Sequence, residues 1–184
     1  MNGSSLRRFF RFLNRLFMVP MFRLGLGVLI VNPVSGHIMV LKTVGRKSGK
    51  ARRTPLNYAL LEGCVYCVAG WGTIAHWYRN LQAMPNVEIL LPGGSVSGIA
   101  ESVDEAAERV RAIRQVMKNG GFAGFFMGFN PWTAPDSLIQ ARTSDLPVVR
   151  IRPTGIGSGA GDPGGWQWLL ILLVCAVLIV LAFG

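Results

Sequence analysis

Residues 37–70 read HIMVLKTVGRKSGKARRTPLNYALLEGCVYCVAG. Three apolar runs stand in this stretch, at 37–43, 53–60 and 64–70, each short and rich in β-branched or aromatic residues. Such runs bounded by turn residues predict strands. Glu62-Gly63 is a tight turn between the last two. The segment 43–54, TVGRKSGKARRT, joins the first two and carries two glycines able to take positive φ. Outward from this core, 75–83 predicts a short helix ended by Met84-Pro85, and 86–91 and 95–101 predict strands about Pro92-Gly93-Gly94. A charged helix follows over 104–118, started by Ser102 or Asp104 and ended by Asn119-Gly120-Gly121. A last strand falls at 147–152, while 121–142 gives no clear periodicity. Mostly short strands with a few helices predict a small antiparallel barrel of α+β class.

The chain has 184 residues, 51% of them hydrophobic, and a net charge of +10. That length fits one domain with a real core, and the composition excludes intrinsic disorder. Three cysteines exclude a disulfide scaffold. The charge is unevenly spread. Eleven cations precede the first acid, Glu62, and the other eight mix with all nine acids. A purely basic N-terminal third suits anionic lipid, nucleic acid or a phosphorylated ligand. Aromatic residues do not interleave with the cations of 42–53, which argues against nucleic acid.

The two ends read differently from the middle. Residues 1–24 hold a basic amphipathic helix. Leu6, Phe9, Phe10, Leu13, Leu16 and Phe17 share one arc, Arg7, Arg8, Arg11 and Arg15 share another, and Pro20 stops continuation. Such a helix lies on lipid or docks on its own domain, and both readings stay open. Residues 25–152 form the barrel domain. Glycines at 155, 157, 159, 161, 164 and 165 mark 153–165 as a flexible linker. Residues 166–183 are apolar but for Gln167 and predict a transmembrane anchor with Trp166 and Trp168 at one end. Because every Lys and Arg precedes it, the main domain is expected on the cytoplasmic side.

The turn at 43–54 is the richest in chemistry. Exposed backbone N–H groups about Gly45 and Gly49 can form an anion nest, and Arg46, Lys47, Ser48, Arg52 and Arg53 add charge and a hydroxyl. It is not a P-loop, since GxxxxGK[ST] is unmatched. Trp77 and Asn80 lie three apart on one predicted helix face, an aromatic and an amide near a cationic loop, though the same spacing suits a core tryptophan. Cys64 and Cys67 are i, i+3 on a strand and point to opposite faces, so they read as packing. His37 and His76 have no ligand partner at metal spacing, and no metal is expected.

The order GHIMVLKTVGRKSGKARRTPLNY, then VAG, then HWYRNLQAMPNVE, resembles the deazaflavin-dependent nitroreductase family, which includes quinone reductases that use reduced coenzyme F-420. The likeness covers roughly residues 20–152. It implies a split β-barrel of the flavin-reductase type with about six antiparallel strands and flanking helices. It implies an oxidoreductase that passes a hydride from the reduced deazaflavin to a quinone, such as a menaquinone, or another flat electron-poor acceptor. Related barrels bind flavin mononucleotide, haem or lipid, so a non-catalytic membrane protein holding a flavin, haem or anionic lipid is the alternative. By resemblance, Arg46, Lys47, Ser48 and Arg52 hold the coenzyme's phosphate and acidic tail. Arg53, Thr54, Pro55, Leu56 and Asn57 line the same groove. Val68, Ala69, Gly70 and Trp71 run beside the ring, and His76, Trp77, Tyr78, Arg79 and Asn80 close the site. Trp71 stands where many members carry lysine. Phe122, Phe125, Phe126, Phe129 and Trp132 take the acceptor side, where better-studied members place tyrosines, so nitroimidazole activation is not implied. No catalytic residue is assigned. Ser48, Tyr58 and Tyr78 are candidate proton donors. Membrane lipid is an expected partner, and the pairing of related barrels implies a homodimer.

Overall fold

The computed structural model describes residues 12–32, 34–121, 128–157 and 167–183. Six strands close into an antiparallel barrel in the order β1-β2-β3-β6-β5-β4. They are β1 (Ile38–Val44), β2 (Ala51–Leu61), β3 (Cys64–Val68), β4 (Asn86–Leu91), β5 (Gly94–Ser102) and β6 (Val148–Ile156). Closure removes free sheet edges. The β2–β3 hairpin turns on Glu62 and Gly63, both at positive φ (51° and 75°), which is the backbone a two-residue hairpin needs.

The helices explain why β1 is apolar on both faces. Met39 and Leu41 point into the barrel beside Val65, Cys67, Ile89 and Ile151. Ile38 and Val40 point out against Phe22 and Ile30, which come from α1 (Val19–Arg23) and α2 (Gly27–Ile30). The far side of the barrel is covered by α4 (Ala106–Asn119) and α5 (Asp136–Thr143), with Tyr66, Val110, Ile113, Val116 and Ile139 forming a separate core. Helix α3 (His76–Ala83) plugs one end, burying Trp77 and Leu81 in the barrel interior. Cys64 and Cys67 face different cores, as strand alternation requires. The loop into β1 meets the end of α4 backbone to backbone. A Cβ on Gly36 would lie 2.3 Å from the Asn119 carbonyl oxygen, and one on Gly121 equally close to that of Val34.

Several expectations change. Pro20 does not stop the N-terminal helix. A π-helical turn over Asn14–Met18 precedes it, and Pro20 sits in the first turn of α1, where its missing N–H costs nothing. The helix ends instead at Leu24. Because Phe22 is buried against the barrel, residue 24 is no domain boundary. Glu105, rather than Ser102 or Asp104, caps α4, its carboxylate accepting from Ala107 N and Glu108 N at 3.0 and 2.7 Å. Strand β6 runs on to Ile156, pairing with β5 as far as Val96↔Ile156, so 153–156 belong to the barrel and not to the linker. The glycines there are tolerated because cross-strand hydrogen bonds hold the backbone. Helix α5 arises from the stretch that lacked periodicity.

The transmembrane span expected over 166–183 is not met: no helix of the described residues is long and apolar enough to cross a membrane. The C-terminal helix α6 (Gln167–Phe183) has 17 described residues, roughly 25 Å at 1.5 Å each.

Candidate active site

A cavity of about 930 Å³ opens where the β1–β2 turn, α3 and the N-terminal helix meet. Its walls hold Arg23, Arg46, Lys47, Arg52 and Arg53, and among the described residues no acid lines it. Ser48, Thr54, Pro55, His76, Trp77 and Asn80 complete the expected part of the wall.

The turn is built by its own backbone. Gly45 N donates to Lys50 O (2.9 Å), and Ser48 N and Gly49 N both donate to Gly45 O (3.0 and 2.8 Å). Gly49 at φ +64° makes this reversal, and a Cβ on Gly45 would lie 2.8 Å from Ser48 Oγ. Arg46 N donates to Asn80 Oδ1 at 3.3 Å. The expected anion nest is therefore not available: the N–H groups of Gly45, Arg46, Ser48 and Gly49 are all taken within the protein. Side chains carry the positive face instead. Lys47 and Arg52 are exposed, and Arg52 Nη2 donates to Ser48 Oγ at 3.3 Å.

Asn80 ties the turn to the helix. It is 5% exposed, accepts from Arg46 Nη1 at 3.1 Å as well as from Arg46 N, and donates to Thr43 Oγ1 at 3.4 Å. Its amide thus holds Arg46 and α3 in one unit. Trp77 answers both readings of its spacing. It is 7% exposed, packs in the barrel core, and still shows a surface to the cavity.

Eight expected residues lie off this wall, for reasons of periodicity. Leu56 and Val68 point into the two cores. Asn57 Nδ2 donates to His37 O at 3.2 Å. Ala69 is fully buried, its N–H bound to Pro147 O at 2.9 Å. Gly70 and Trp71 follow the end of β3, where the chain turns away into a 3₁₀ turn at Gly72–Ile74. On α3 the positions 76, 77 and 80 share the cavity face, whereas 78 and 79 do not. Tyr78 Oη sits 3.4 Å from Ser102 Oγ, and Arg79 Nε donates to Thr73 O at 2.9 Å. Of the candidate proton donors only Ser48 reaches the cavity. Burial raises the Tyr58 phenol above its ordinary value, which opposes proton release. Phe122, Phe125 and Phe126 lie outside the described residues. Phe129 is buried in the α4 core, so it does not serve as an acceptor wall.

Asn14, Val19, Pro20 and Arg23 were not expected on the wall. No motif marks them. Their only signal is an amphipathic helix directly before the first strand.

The residues fit a flat, polyanionic coenzyme: Arg46, Lys47 and Arg52 on the turn supply positive charge, and Trp77, Val19 and Pro20 supply apolar surface. The F-420H(2)-dependent quinone reductase family model matches residues 19–124, more than half of the chain. Among solved structures, a conserved hypothetical protein from Mycobacterium tuberculosis is similar at 21% identity and TM-score 0.50, over 65% of this chain and 74% of that one. An F-420-H2 dependent reductase is similar at 24% identity and TM-score 0.46, over 66% of this chain and 99% of the other. An F-420 reductase is similar at 21% identity and TM-score 0.45, over 71% and 94%. No curated protein matches the sequence at a significant level. The split-barrel fold and the acid-free cationic cavity agree with the family match, and the chain belongs to the F-420H(2)-dependent quinone reductase family, as an oxidoreductase that uses reduced coenzyme F-420.

Proposed function

We propose that this oxidoreductase passes a hydride from reduced F-420 to a quinone or similar flat, electron-poor acceptor at a membrane surface. The observation that carries the reading is the cavity in which Arg46, Lys47 and Arg52 of the turn stand beside the apolar surface of Trp77, Val19 and Pro20. When bound, the reduced deazaflavin supplies the hydride. The chain supplies position and field. Lys47, Arg52 and Ser48 would hold phosphate and carboxylate groups through charge-assisted hydrogen bonds. Arg46, fixed by Asn80, would present its remaining guanidinium donors to an anionic group of the coenzyme. Trp77 and the Val19-Pro20 surface exclude water and offer flat apolar contact.

Membrane attachment is supported by α6. Its described side chains from Leu172 to Leu181 are all exposed, and the large apolar ones among them are 50–76% exposed. A helix of this composition has lipid as its natural solvent, and 25 Å approaches the roughly 30 Å hydrocarbon core. The cation distribution supports a cytoplasmic barrel.

The test is a fluorescence titration of the full chain with F-420 and, in parallel, flavin mononucleotide, followed by anaerobic oxidation of reduced F-420 with menadione. Micromolar binding of the deazaflavin and acceptor-dependent oxidation are expected. Binding without turnover on any quinone would overturn the acceptor assignment. Binding of the flavin alone would move the protein to the flavin-holding alternative.

A further inference from the structure

The N-terminal helical segment has two jobs in this structure. Asn14, Val19, Pro20 and Arg23 form part of the cavity wall. The same segment leaves Phe12, Leu16 and Phe17 65%, 60% and 49% exposed, and α2 beside it leaves Val28 and Leu29 62% and 70% exposed. Large apolar residues grouped in this way mark an interaction surface. The segment is attached to the barrel mainly at its C-terminal end, through buried Phe22 and the packed side chains of Met18, Val19 and Met21.

We propose that Phe12, Leu16 and Phe17 insert into an anionic bilayer surface, and that this engagement tightens coenzyme binding by fixing the helix that walls the cavity. The occupant follows from charge and continuity. The segment belongs to the acid-free first 61 residues of the chain, with Arg7, Arg8 and Arg11 before it in sequence and Arg15 within it, and this suits anionic headgroups. The same chain ends in α6, an apolar helix with exposed side chains. Asn14 and Arg23 of this segment both line the cavity, so a ligand there and lipid on the outer face hold one helix in one position, and the two binding events reinforce each other. The proposal rests on the coenzyme and membrane readings above.

The test compares the wild-type full chain with the triple variant Phe12→Ser, Leu16→Ser, Phe17→Ser. None of the three residues lines the cavity. F-420 affinity is measured for each on phosphatidylcholine vesicles containing phosphatidylglycerol, and for each lipid-free in a neutral amphipathic polymer. Thermal unfolding checks the fold, and a Leu16→Asp single variant gives a second, milder probe. Vesicles should tighten wild-type binding about fivefold or more, within the usual range of coupling, and the triple variant less than twofold. Equal tightening in both proteins, or none in either while both float with vesicles, overturns the coupling and leaves the coenzyme reading intact. A gap already present without lipid assigns the residues to the fold and overturns it too. A dimer of the wild type that the variant lacks places a second copy on this face, again against the proposal. Failure of either protein to bind F-420 in any state strikes the underlying coenzyme reading instead.

Discussion

The two flanks of the barrel use the same residue type for opposite purposes. On the α4 flank each arginine is spent on the protein. Arg109 donates to the carbonyls of Val103, Thr143, Ser144 and Leu146 at 3.1–3.4 Å. Arg114 binds Pro131 O, Ala134 O and the Asp136 carboxylate. Arg150 bridges Glu101 and Glu108 at 3.0 and 2.9 Å, and Tyr66 Oη donates to Glu108 at 2.7 Å. Burial and the bond to Glu108 push the Tyr66 phenol up to about 12, so it stays a donor. On the cavity flank Arg46, Lys47 and Arg52 face a space that no acidic side chain among the described residues lines. One set of cations holds helices to the sheet, and the other is left for a ligand. The nine acids all fall after residue 61, and the fold brings Glu88 to Lys42 of the basic block.

The contrast is sharpest under substitution. Replacing Lys47 and Arg52 together by Ala should weaken F-420 binding by more than about 100-fold, since each charge-assisted contact is worth roughly 1.5–3 kcal/mol, with little change in thermal unfolding. Titration and calorimetry on the same sample check this, and a matching loss of stability would erase the distinction between the flanks. Arg109→Ala should do the reverse. With four carbonyls losing their donor, unfolding in urea should fall by about 2 kcal/mol while coenzyme affinity stays unchanged.

Asn80 stands between the two cases. Asn80→Asp keeps an acceptor for Arg46 but puts a negative charge into the acid-free cavity. It should raise the dissociation constant for F-420 about tenfold, about 1.4 kcal/mol, with a small effect on melting. A melting loss as large as that of Asn80→Ala would mark Asn80 as purely structural. The smallest effect belongs to Glu101. The Arg150 hydrogen bond, against a smaller opposing effect of desolvation, and with Arg152 assisting, holds its carboxyl below the usual range. Its contribution is therefore complete above the ordinary glutamate range and is lost as pH falls through the lowered value. The melting difference between wild type and Glu101→Gln should be constant near neutrality and vanish in acid. Coenzyme affinity should not follow it.

Much of the barrel was legible because its strands alternate with turn residues that admit few other conformations. The ends of β4 were read directly. The run 37–43 reads as a strand, and β1 is Ile38–Val44; that both its faces are covered is seen only in the fold. The errors fell where local sequence competes with tertiary contact. Pro20 reads as a stop, yet a widened turn before it lets the helix continue. Gly155 reads as linker, yet strand pairing holds it. Val68, Ala69 and Gly70 stand in the family's order, yet the chain turns away from the cavity after β3.

The sequence alone determined the strand and turn order, the basic block, and the family, because these depend on spacing and residue type along the chain. Tertiary structure decided which cations are neutralised and which face a cavity, since acids far along the chain reach only some of them. It also decided that the N-terminal helix is a wall of the site and that the N–H groups of Gly45, Arg46, Ser48 and Gly49 in the turn are already bound. Those are facts of proximity, and proximity is set by how helices pack on a closed barrel.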